Sequence, residues 1–370
     1  MSREQTAAIR RTLARRCALR AIPVSGIFEL TPRCNLQCKM CYVRLTPAQM
    51  APIGRELTAA QWLALARDAR DAGLVFLLIT GGEPTLRADF TEIYEGLATM
   101  GLSLSINTNG TLLPPALREL WHRLPPAQVN VTLYGADRED YAALCGDPTA
   151  FDRVVENLRW LQQEGILIHL NTTIVPTNVR SWQRIRDFAG TLGLELRMTS
   201  YCFPPLRRPD CREFLRLSPE QAAELTVRDI LCREGPDAIR LRAANLDAPP
   251  RAAGCDLDSG EAMCCMAGRS QFWVTWDGRM TPCGMLSSPE ARPLAQGFGP
   301  AWEQLNAQTL QIRLCPDCVS CEERRTCMNC AAVTWTETGR FDGRPEYMCR
   351  MNRAYRALLT EFAKTETAGD

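Results

Sequence analysis

Three cysteines near the amino terminus have the residue type and the spacing to bind a metal cluster. Cys34, Cys38 and Cys41 form a C-x3-C-x2-C string. Three thiolates on one short loop can bind three irons of a four-iron cube and leave the fourth iron open to a small chelating ligand. A structural zinc site normally has a fourth protein ligand, and no further His or Cys stands close in sequence. The string favours an iron–sulfur cluster, with zinc as the alternative.

A second, denser set of cysteines lies toward the carboxyl terminus. Four of them are spaced C-x2-C-x5-C-x2-C, two precede this run and one follows it at a distance. They are Cys265, Cys283, Cys318, Cys321, Cys327, Cys330 and Cys349. Two thiolates three residues apart can share one metal centre, so the spacing indicates metal binding. A rubredoxin-like or zinc-ribbon module is the alternative interpretation.

Composition limits what else these cysteines can be. The 370-residue chain carries 18 Cys against 2 His, and no export signal precedes them, so metal ligation is expected in place of disulfides. The net charge of the chain is +1, so the chain lacks the excess of basic residues that is typical of nucleic-acid-binding proteins. The longest apolar stretch, near residues 74–79, is too short to cross a bilayer. We expect a cytoplasmic protein without nucleic-acid or membrane partners.

The elements that must position the first cysteines alternate regularly. Strands are predicted at residues 26–30, 75–80, 103–107, 128–133, 167–174 and 195–201. Amphipathic helical segments lie between them at residues 58–72, 91–100, 151–164 and 181–192. This alternation implies a parallel sheet with right-handed crossovers. We predict an α/β fold: a partial (β/α)6 TIM-like barrel with a C-terminal cysteine-rich iron–sulfur domain.

Four regions follow from these patterns. Residues 1–24 are predicted to form an arginine-rich helix or arm, and residues 25–205 the partial barrel. A proline- and arginine-rich bridging region at 206–262 precedes the cysteine-rich domain at 263–370, which closes with a helix. Polar or glycine-bearing strings end the predicted strands, and the carboxyl ends of barrel strands are where such folds assemble their sites.

The first string, CNLQCKMC with Tyr42 after it, resembles the signature of the radical S-adenosylmethionine (SAM) superfamily. The resemblance covers most of residues 26–200. It implies a [4Fe-4S] cluster on Cys34, Cys38 and Cys41 whose open iron chelates SAM. Reductive cleavage of SAM then yields a 5′-deoxyadenosyl radical that abstracts hydrogen from a substrate. In this comparison Tyr42 lies near the adenine.

The resemblance extends through the GGEP string that follows the second predicted strand. It implies that Gly81, Gly82 and Glu83 bind the methionine ammonium of SAM, the glycines by close backbone approach and Glu83 by charge. Asn107 and Asn109 are implied to contact the ribose or the carboxylate of SAM.

One position departs from the family. Many relatives carry an arginine after the fourth strand that binds the SAM carboxylate, and here the aligned residue is Cys145. Another group must then hold that carboxylate. Cys145 is assigned either as a hydrogen donor to a substrate radical or as a buried thiol. Tyr201, at the end of the sixth predicted strand, is predicted to point into the barrel mouth and contact substrate.

The second array is similar to the SPASM extension, a domain that binds two auxiliary [4Fe-4S] clusters. The resemblance assigns one auxiliary cluster to Cys318, Cys321, Cys327 and Cys349. It assigns the other to Cys265, Cys283 and Cys330 with an upstream thiolate, for which Cys255 is preferred. Cys264 or an open iron are the alternatives. Cys315, three residues before Cys318, is able to exchange into the ligand set.

We predict a radical SAM/SPASM enzyme that modifies a ribosomally synthesised peptide by a thioether or carbon–carbon crosslink. Residues 1–24 are too short for a leader-binding domain, so the leader of the substrate peptide is expected to bind a separate protein or a groove on the barrel. A flavodoxin or ferredoxin is the expected reductant.

Three other functions remain. A sulfatase maturase would carry an aspartate where this chain has Gly284. A peptide epimerase needs a thiol hydrogen donor, for which Cys145 or Cys202 is available. A non-catalytic iron–sulfur or zinc scaffold is the alternative from another class.

Overall fold

A single curved sheet organises the computed structural model, which describes residues 3–205, 215–246, 263 and 265–367. Its eight strands lie in the order β6-β5-β4-β3-β2-β1-β7-β8. Neighbouring strands pair in parallel except β7 and β8, which are antiparallel. The strands are β1 Ser25–Glu29, β2 Phe76–Thr80, β3 Ser103–Thr108, β4 Gln128–Thr132, β5 Ile168–Thr173, β6 Leu196–Thr199, β7 Gln271–Val274 and β8 Met280–Thr281. The six predicted strands and the α/β partial-barrel class are confirmed.

Helices connect these strands and cover one face of the sheet. In the first part of the chain they are α1 Arg3–Ala18, α2 Pro47–Met50, α3 Ala59–Asp71, α4 Phe90–Thr99, α5 Pro115–Arg123, α6 Arg138–Cys145, α7 Ala150–Gln163 and α8 Trp182–Thr191. They continue with α9 Pro219–Glu234, α10 Pro236–Ala244, α11 Pro293–Gln296, α12 Phe298–Thr309, α13 Pro316–Val319, α14 Ala331–Thr338 and α15 Glu346–Thr367. Within the described ranges, none of these helices combines the length and the apolar character that a membrane crossing requires.

Local sequence explains where the predicted helices begin. The Thr58 side chain accepts a hydrogen bond from the backbone N–H of Gln61, and the Gln61 side chain accepts one from the backbone N–H of Thr58; this capping box starts α3. Ser218 and Gln221 form the same box at the start of α9. The boxes satisfy amide groups that a helix start leaves unpaired.

The sheet has one apolar and one polar face. On the apolar face Phe28, Ile106 and Leu170 are fully buried and pack under the helices; the Phe28 ring lies 4.8 Å from that of Trp62 on α3. The residues between them along each strand point to the opposite face, as the two-residue period of a strand requires. That inner face carries the polar side chains.

The cysteine-rich part of the chain continues the barrel sheet. β7 pairs in parallel with β1, with Ile27 opposite Trp273. This pairing was not predicted, because a four-residue strand far along the chain has no local signal for its partner. The bridging region is also partly helical: α9 and α10 pack against α15 through Ile230, Ile239 and Leu359. Residues 206–214 and 247–262 of that region lie outside the described residues.

Phe272 on β7 is the main apolar contact between the two parts. It is fully buried, and its ring lies 5.1 Å from that of Phe298, 6.1 Å from that of Trp302 and 6.4 Å from that of Phe28. We expect Phe272→Ala to lower the free energy of unfolding by about 3–5 kcal/mol, because a buried ring is lost and leaves a cavity. Urea titration under anaerobic conditions measures this change.

The matched control for that substitution is Leu294→Ala on α11. Leu294 is 42% exposed, so its truncation is expected to change the free energy of unfolding by less than about 0.5 kcal/mol. An equally small effect at Phe272 would contradict the role of β7 in joining the two parts of the fold.

Candidate active site

The first cysteine string lies in the loop that follows β1. Backbone N–H groups of this loop donate to two of the sulfurs. The backbone N–H of Leu36 donates to Cys34 Sγ at 3.4 Å. The backbone N–H of Arg44 donates to Cys41 Sγ at 3.3 Å. Such donors stabilise negative charge on sulfur, which a metal-bound thiolate carries. The loop conformation therefore suits thiolate ligands.

Electrostatics also indicate that these thiols belong to a ligand set. Burial is the largest of the effects that raise the pKa of Cys34 to about 12; the Leu36 N–H opposes the rise, and the charges of Glu83, Cys38 and Cys41 contribute to it. Crowded buried thiolates are unfavourable unless a cation compensates them, and cluster irons supply that charge. In the described ranges, no three His, Cys, Asp or Glu side chains converge closely enough to bind a single metal ion. A four-iron cube would place each of the three sulfurs on a separate iron.

The GGEP string lies directly on the backbone that precedes the cysteines. Gly82 N–H donates to Thr31 O at 2.7 Å, and Glu83 N–H donates to Arg33 O at 2.8 Å. A Cβ atom would lie 2.5 Å from Thr31 O at Gly81 and 2.3 Å from Arg33 O at Gly82. Both positions therefore require glycine, because two backbones pack without room for a side chain. Their contact with SAM stays a prediction.

The Glu83 carboxylate is fully buried and hydrogen-bonded within the chain. It accepts from the Thr85 hydroxyl at 2.6 Å, the Thr108 hydroxyl at 2.9 Å and the Asn109 backbone N–H at 2.7 Å. Burial raises the pKa of Glu83, and these hydrogen bonds oppose the rise. Glu83 thus ties the loop after β2 to the end of β3.

Asn109 lies against the cysteine loop. Its Nδ2 donates to Asn35 Oδ1 at 2.9 Å and lies 3.6 Å from Cys34 Sγ. Thr111 completes this contact, since its hydroxyl donates to Asn109 Oδ1 at 2.6 Å and accepts from Asn35 Nδ2 at 2.8 Å. The structure thereby brings Asn109 next to the first cysteine, while its predicted contact with SAM stays untested.

Arg87, a buried arginine that was not among the predicted site residues, forms hydrogen bonds at the same edge of the sheet. Arg87 is 6% exposed; its Nη1 donates to Leu30 O at 2.8 Å and its Nη2 to Leu57 O at 2.9 Å. Asp89 pairs with the guanidinium at 2.7 Å. Beside it, Glu56 pairs with Arg33 at 2.8 Å. The position of Arg87 shortly after the GGEP string was the signal available in the sequence.

The strand register places polar side chains of neighbouring strands next to one another on the inner face of the sheet. Asn130 lies opposite Asn107 and His169, and Asn171 lies opposite Thr132 and Arg197. Asn130 Nδ2 donates to Asn107 Oδ1 at 2.7 Å, which forms an amide ladder across β3 and β4. This register places Asn107 on the inner face, away from the cysteine loop that Asn109 contacts.

At the other end of this face, two residues join β1 to β7. Trp273 Nε1 donates to Glu29 Oε2 at 3.1 Å. Glu29 is fully buried. A Cβ atom at Gly284 would lie 2.7 Å from the Trp273 ring. The segment that carries Cys283 therefore packs directly on the inner face of the barrel.

Tyr201 lies where the barrel meets the C-terminal helices. Tyr201 is 8% exposed, and its hydroxyl donates to Glu337 Oε1 at 2.8 Å. Its ring packs edge-on against Phe203 and Tyr347, with centroids at 4.9 Å and 5.6 Å. Tyr201 thus joins the barrel to α14 and α15. Tyr42 is half-buried beside Cys41; both assigned roles stay predictions.

Six cysteines of the second array line one cavity of about 450 Å³. They are Cys265, Cys318, Cys321, Cys327, Cys330 and Cys349. Cys283 interacts electrostatically with Cys330. Cys315 is buried and hydrogen-bonded to Cys318, and it is absent from the lining of this cavity.

Each cysteine that the structure describes is a free thiol, as a ligand set requires. The Cys318 thiol shows the crowding of the array. Burial is the largest of the effects that raise its pKa to about 12, and the charges of Cys315, Cys349 and Cys327 are among the others. The preferred upstream ligand Cys255 and its alternative Cys264 lie outside the described residues, so the fourth ligand of that set stays a prediction.

The glycine contact yields a direct test. Gly82→Ala forces the GGEP backbone away from Arg33 O and is expected to displace the Cys34 loop, with loss of about four irons per chain after anaerobic reconstitution. Iron and sulfide analysis measures this loss. Gly190→Ala on α8, where no atom lies within 4 Å of the new Cβ, is the control and keeps the wild-type iron content. Wild-type iron in Gly82→Ala would contradict the contact.

Comparison with known proteins agrees with this geometry. Residues 28–189 match the family model of the radical SAM superfamily. Among curated relatives, the AdoMet-dependent heme synthase of Methanosarcina barkeri (strain Fusaro / DSM 804) is 26% identical over 331 residues, 84% of this chain and 92% of the relative.

Solved structures share the fold. Streptococcus suis SuiB bound to its precursor peptide SuiA superposes with a TM-score of 0.67 at 16% identity, over 89% of this chain and 76% of SuiB. Native anSMEcpe with bound AdoMet and the Cp18Cys peptide superposes with a TM-score of 0.64 at 15% identity, over 94% of this chain and 98% of that protein. The cysteine loop, the glycine contact and the partial barrel agree with the match of residues 28–189 to the radical SAM superfamily.

Proposed function

We propose that this chain uses SAM and a [4Fe-4S] cluster to modify a ribosomally synthesised peptide by a thioether or carbon–carbon crosslink. Cys34, Cys38 and Cys41 would hold the cluster, because their loop already directs N–H groups at the sulfurs. When bound, the cluster and SAM supply a 5′-deoxyadenosyl radical. The chain's own residues bind the substrate, orient it and exclude water from it.

The amide and hydroxyl side chains of the inner face support the proposal that the substrate is a peptide. Asn107, Asn130 and Asn171 present amide groups, and Thr132 presents a hydroxyl. Amide side chains both donate and accept hydrogen bonds, which matches the N–H and C=O groups of a peptide backbone. Asn130 Nδ2 already donates to Asn107 Oδ1, so the Asn107 amide nitrogen would be the group that donates to a bound peptide.

The solved neighbours SuiB and anSMEcpe are both described with bound peptides. That supports a peptide substrate for a chain of the same fold. Gly284 favours crosslinking over sulfatase maturation, because Trp273 occupies the space that an aspartate side chain would need there.

Two auxiliary clusters on the second array are part of this proposal, as in SPASM-type maturases. The thiol-lined cavity supports it, because the cavity is lined by cysteines on α13 and α15, by cysteines between these helices, and by Cys265 before them. The ligand sets are Cys318, Cys321, Cys327 and Cys349 for one cluster, and Cys265, Cys283 and Cys330 with Cys255 for the other. A flavodoxin or ferredoxin reductant, a separate leader-binding protein and a cytoplasmic location complete the proposal.

A tetrapyrrole substrate is the second candidate, because the likeness to the M. barkeri heme synthase spans most of both chains. Porphyrin substrates carry several carboxylates, which proteins bind with arginine or lysine. On the inner face of the described strands, Arg197 is the one arginine and there is no lysine. The scarcity of basic side chains on this face therefore favours a peptide over a porphyrin as the substrate.

The deciding experiment is anaerobic. Reconstituted enzyme, SAM and reductant are incubated with the peptide of a short open reading frame beside the gene, or with iron coproporphyrin, and products are analysed by mass spectrometry. We expect the peptide to lose hydrogen and the porphyrin to remain unchanged. Cys38→Ala is the control and abolishes both 5′-deoxyadenosine and product. Conversion of the porphyrin alone would overturn the proposal, and deuterium uptake from heavy water at one residue would indicate epimerisation.

Iron content tests the cluster assignment separately. Three cubes give about twelve irons per chain. Cys327→Ser, in the cavity, is expected to leave about eight. Cys232→Ser, an exposed thiol on α9, is the control and keeps the wild-type content. About four irons in the wild type would contradict both auxiliary clusters while leaving the radical SAM cluster intact.

A further inference from the structure

Helix α1 lies across the amino-terminal ends of β2 and β3, opposite the edge of the sheet that carries the first cysteines. The Arg10 guanidinium donates to Ser103 Oγ at 3.1 Å and lies over the Phe76 ring, 4.4 Å from its centroid. Phe76 and Ser103 are the first residues of β2 and β3. Cys17 and Ala18, at the end of the helix, are buried. These contacts hold α1 on the body of the protein.

The outward side of α1 presents two aliphatic side chains to solvent. Ile9 is 53% exposed and Leu13 is 37% exposed. Residues four apart are neighbours on one face of a helix, so these two side chains form a short apolar row. Arg16, which is also exposed, is three residues further on and continues the row. An apolar row of this spacing is the pattern by which helices contact one another.

The same helix carries an excess of positive charge. Its sequence contains five arginines and one glutamate. Arg11, Arg15 and Arg16 are exposed and form no ion pair with any residue that the structure describes, whereas Arg184 on the surface of α8 pairs with Asp137 at 2.7 Å. Arg11 and Arg15 are four residues apart, where like charges repel each other. An anionic partner would relieve this repulsion.

The apolar row and the unpaired arginines define the chemistry of a partner. An acidic, amphipathic helix can place aliphatic side chains on Ile9 and Leu13 and carboxylates on the arginines beside them. The size of the surface favours a segment of chain over a folded protein. A helix of 16 residues is about 24 Å long, and a face about 10 Å wide covers about 240 Å². A stable interface between folded proteins buries about 800 Å² on each side.

A membrane surface fits α1 less well. Helices that lie on membranes bury a wide apolar face, commonly with Trp, Phe or Leu residues. The sequence of α1 contains no aromatic residue, and Ile9 and Leu13 are its only aliphatic residues larger than alanine. The apolar row is therefore long enough for one contact with another helix and too short for a bilayer.

We propose that α1 docks an acidic, amphipathic helical segment in the leader of the peptide substrate. This inference rests on the proposed function, which supplies the peptide, and it adds a contact on the barrel itself to the separate leader-binding protein. Strands β1 to β5 are five or six residues long, so the sheet is about 20 Å deep. About ten residues of extended leader are enough to reach from α1 to the edge that carries the first cysteines.

Fluorescence anisotropy with the reconstituted holoenzyme tests the surface. The probe is a labelled peptide of about 18 residues, with Leu at helical spacing and Glu and Ala elsewhere. A scrambled peptide of the same composition is its control. We expect the helical probe to bind more tightly than the scrambled one. Its binding is expected to weaken as the salt concentration rises, because salt screens charges at an exposed surface.

Charge reversal locates the bound probe. The triple variant Arg11→Glu, Arg15→Glu and Arg16→Glu is expected to raise the Kd of the helical probe by about tenfold, since three exposed ion pairs are replaced by repulsion. Arg228→Glu is the matched control, because Arg228 is an exposed arginine on α9; it is expected to keep the wild-type Kd. Wild-type iron content in both variants shows that the fold is intact.

The precursor peptide assigns the surface to the leader. In the same assay, the labelled peptide of the short open reading frame beside the gene is expected to bind the triple variant about tenfold more weakly than the wild type. A shortened peptide without the leader is expected to bind both enzymes equally. Equal binding of the full precursor to both enzymes, with the acidic probe lost from the triple variant, would assign α1 to another acidic partner and overturn the inference.

Two further results would overturn it. One is equal binding of the helical and scrambled probes, or a wild-type Kd in the triple variant. The other is binding of vesicles that contain phosphatidylserine without binding of the acidic probe, which would assign α1 to a membrane surface. Since anisotropy requires no turnover, a precursor that docks on α1 and is not crosslinked would contradict the proposed reaction and leave the docking site supported.

Discussion

The close contact between two backbones at the carboxyl edge of the sheet is the constraint on which the site depends. Gly82 and Glu83 donate their amide hydrogens to Thr31 and Arg33, so the loop after β2 supports the start of the loop that carries the first cysteines. A side chain at the glycine positions would separate the two loops. The contact therefore sets where Cys34 stands relative to the polar face of the barrel.

Polar groups around this contact are satisfied within the chain. Glu83 accepts from the loop after β2 and from the end of β3, and Arg87 donates to backbone carbonyls on either side of the cysteine loop. Buried charges are stable only when they are paired or hydrogen-bonded in this way. Through Asn109, which lies against Cys34 and Asn35, the network connects the cysteine loop to the end of β3.

The pairing of β7 with β1 unites the two cysteine sets in one structure. It brings Trp273 onto Glu29 and packs Gly284 on the indole ring. The segment leading to the second array is thereby part of the wall of the barrel.

The sequence by itself determined the elements and the ligand types, because strand period, helix caps and cysteine spacing are local signals. The six barrel strands, the starts of α3 and α9, and the cysteine string after β1 were all predictable on that basis. Only the tertiary structure decided which groups meet. It closed Glu83 into a network, placed the backbone of Cys145 beside the first cysteine string and added β7 to the sheet. These contacts join residues far apart in the chain, and their partners are selected by packing, which no local pattern records.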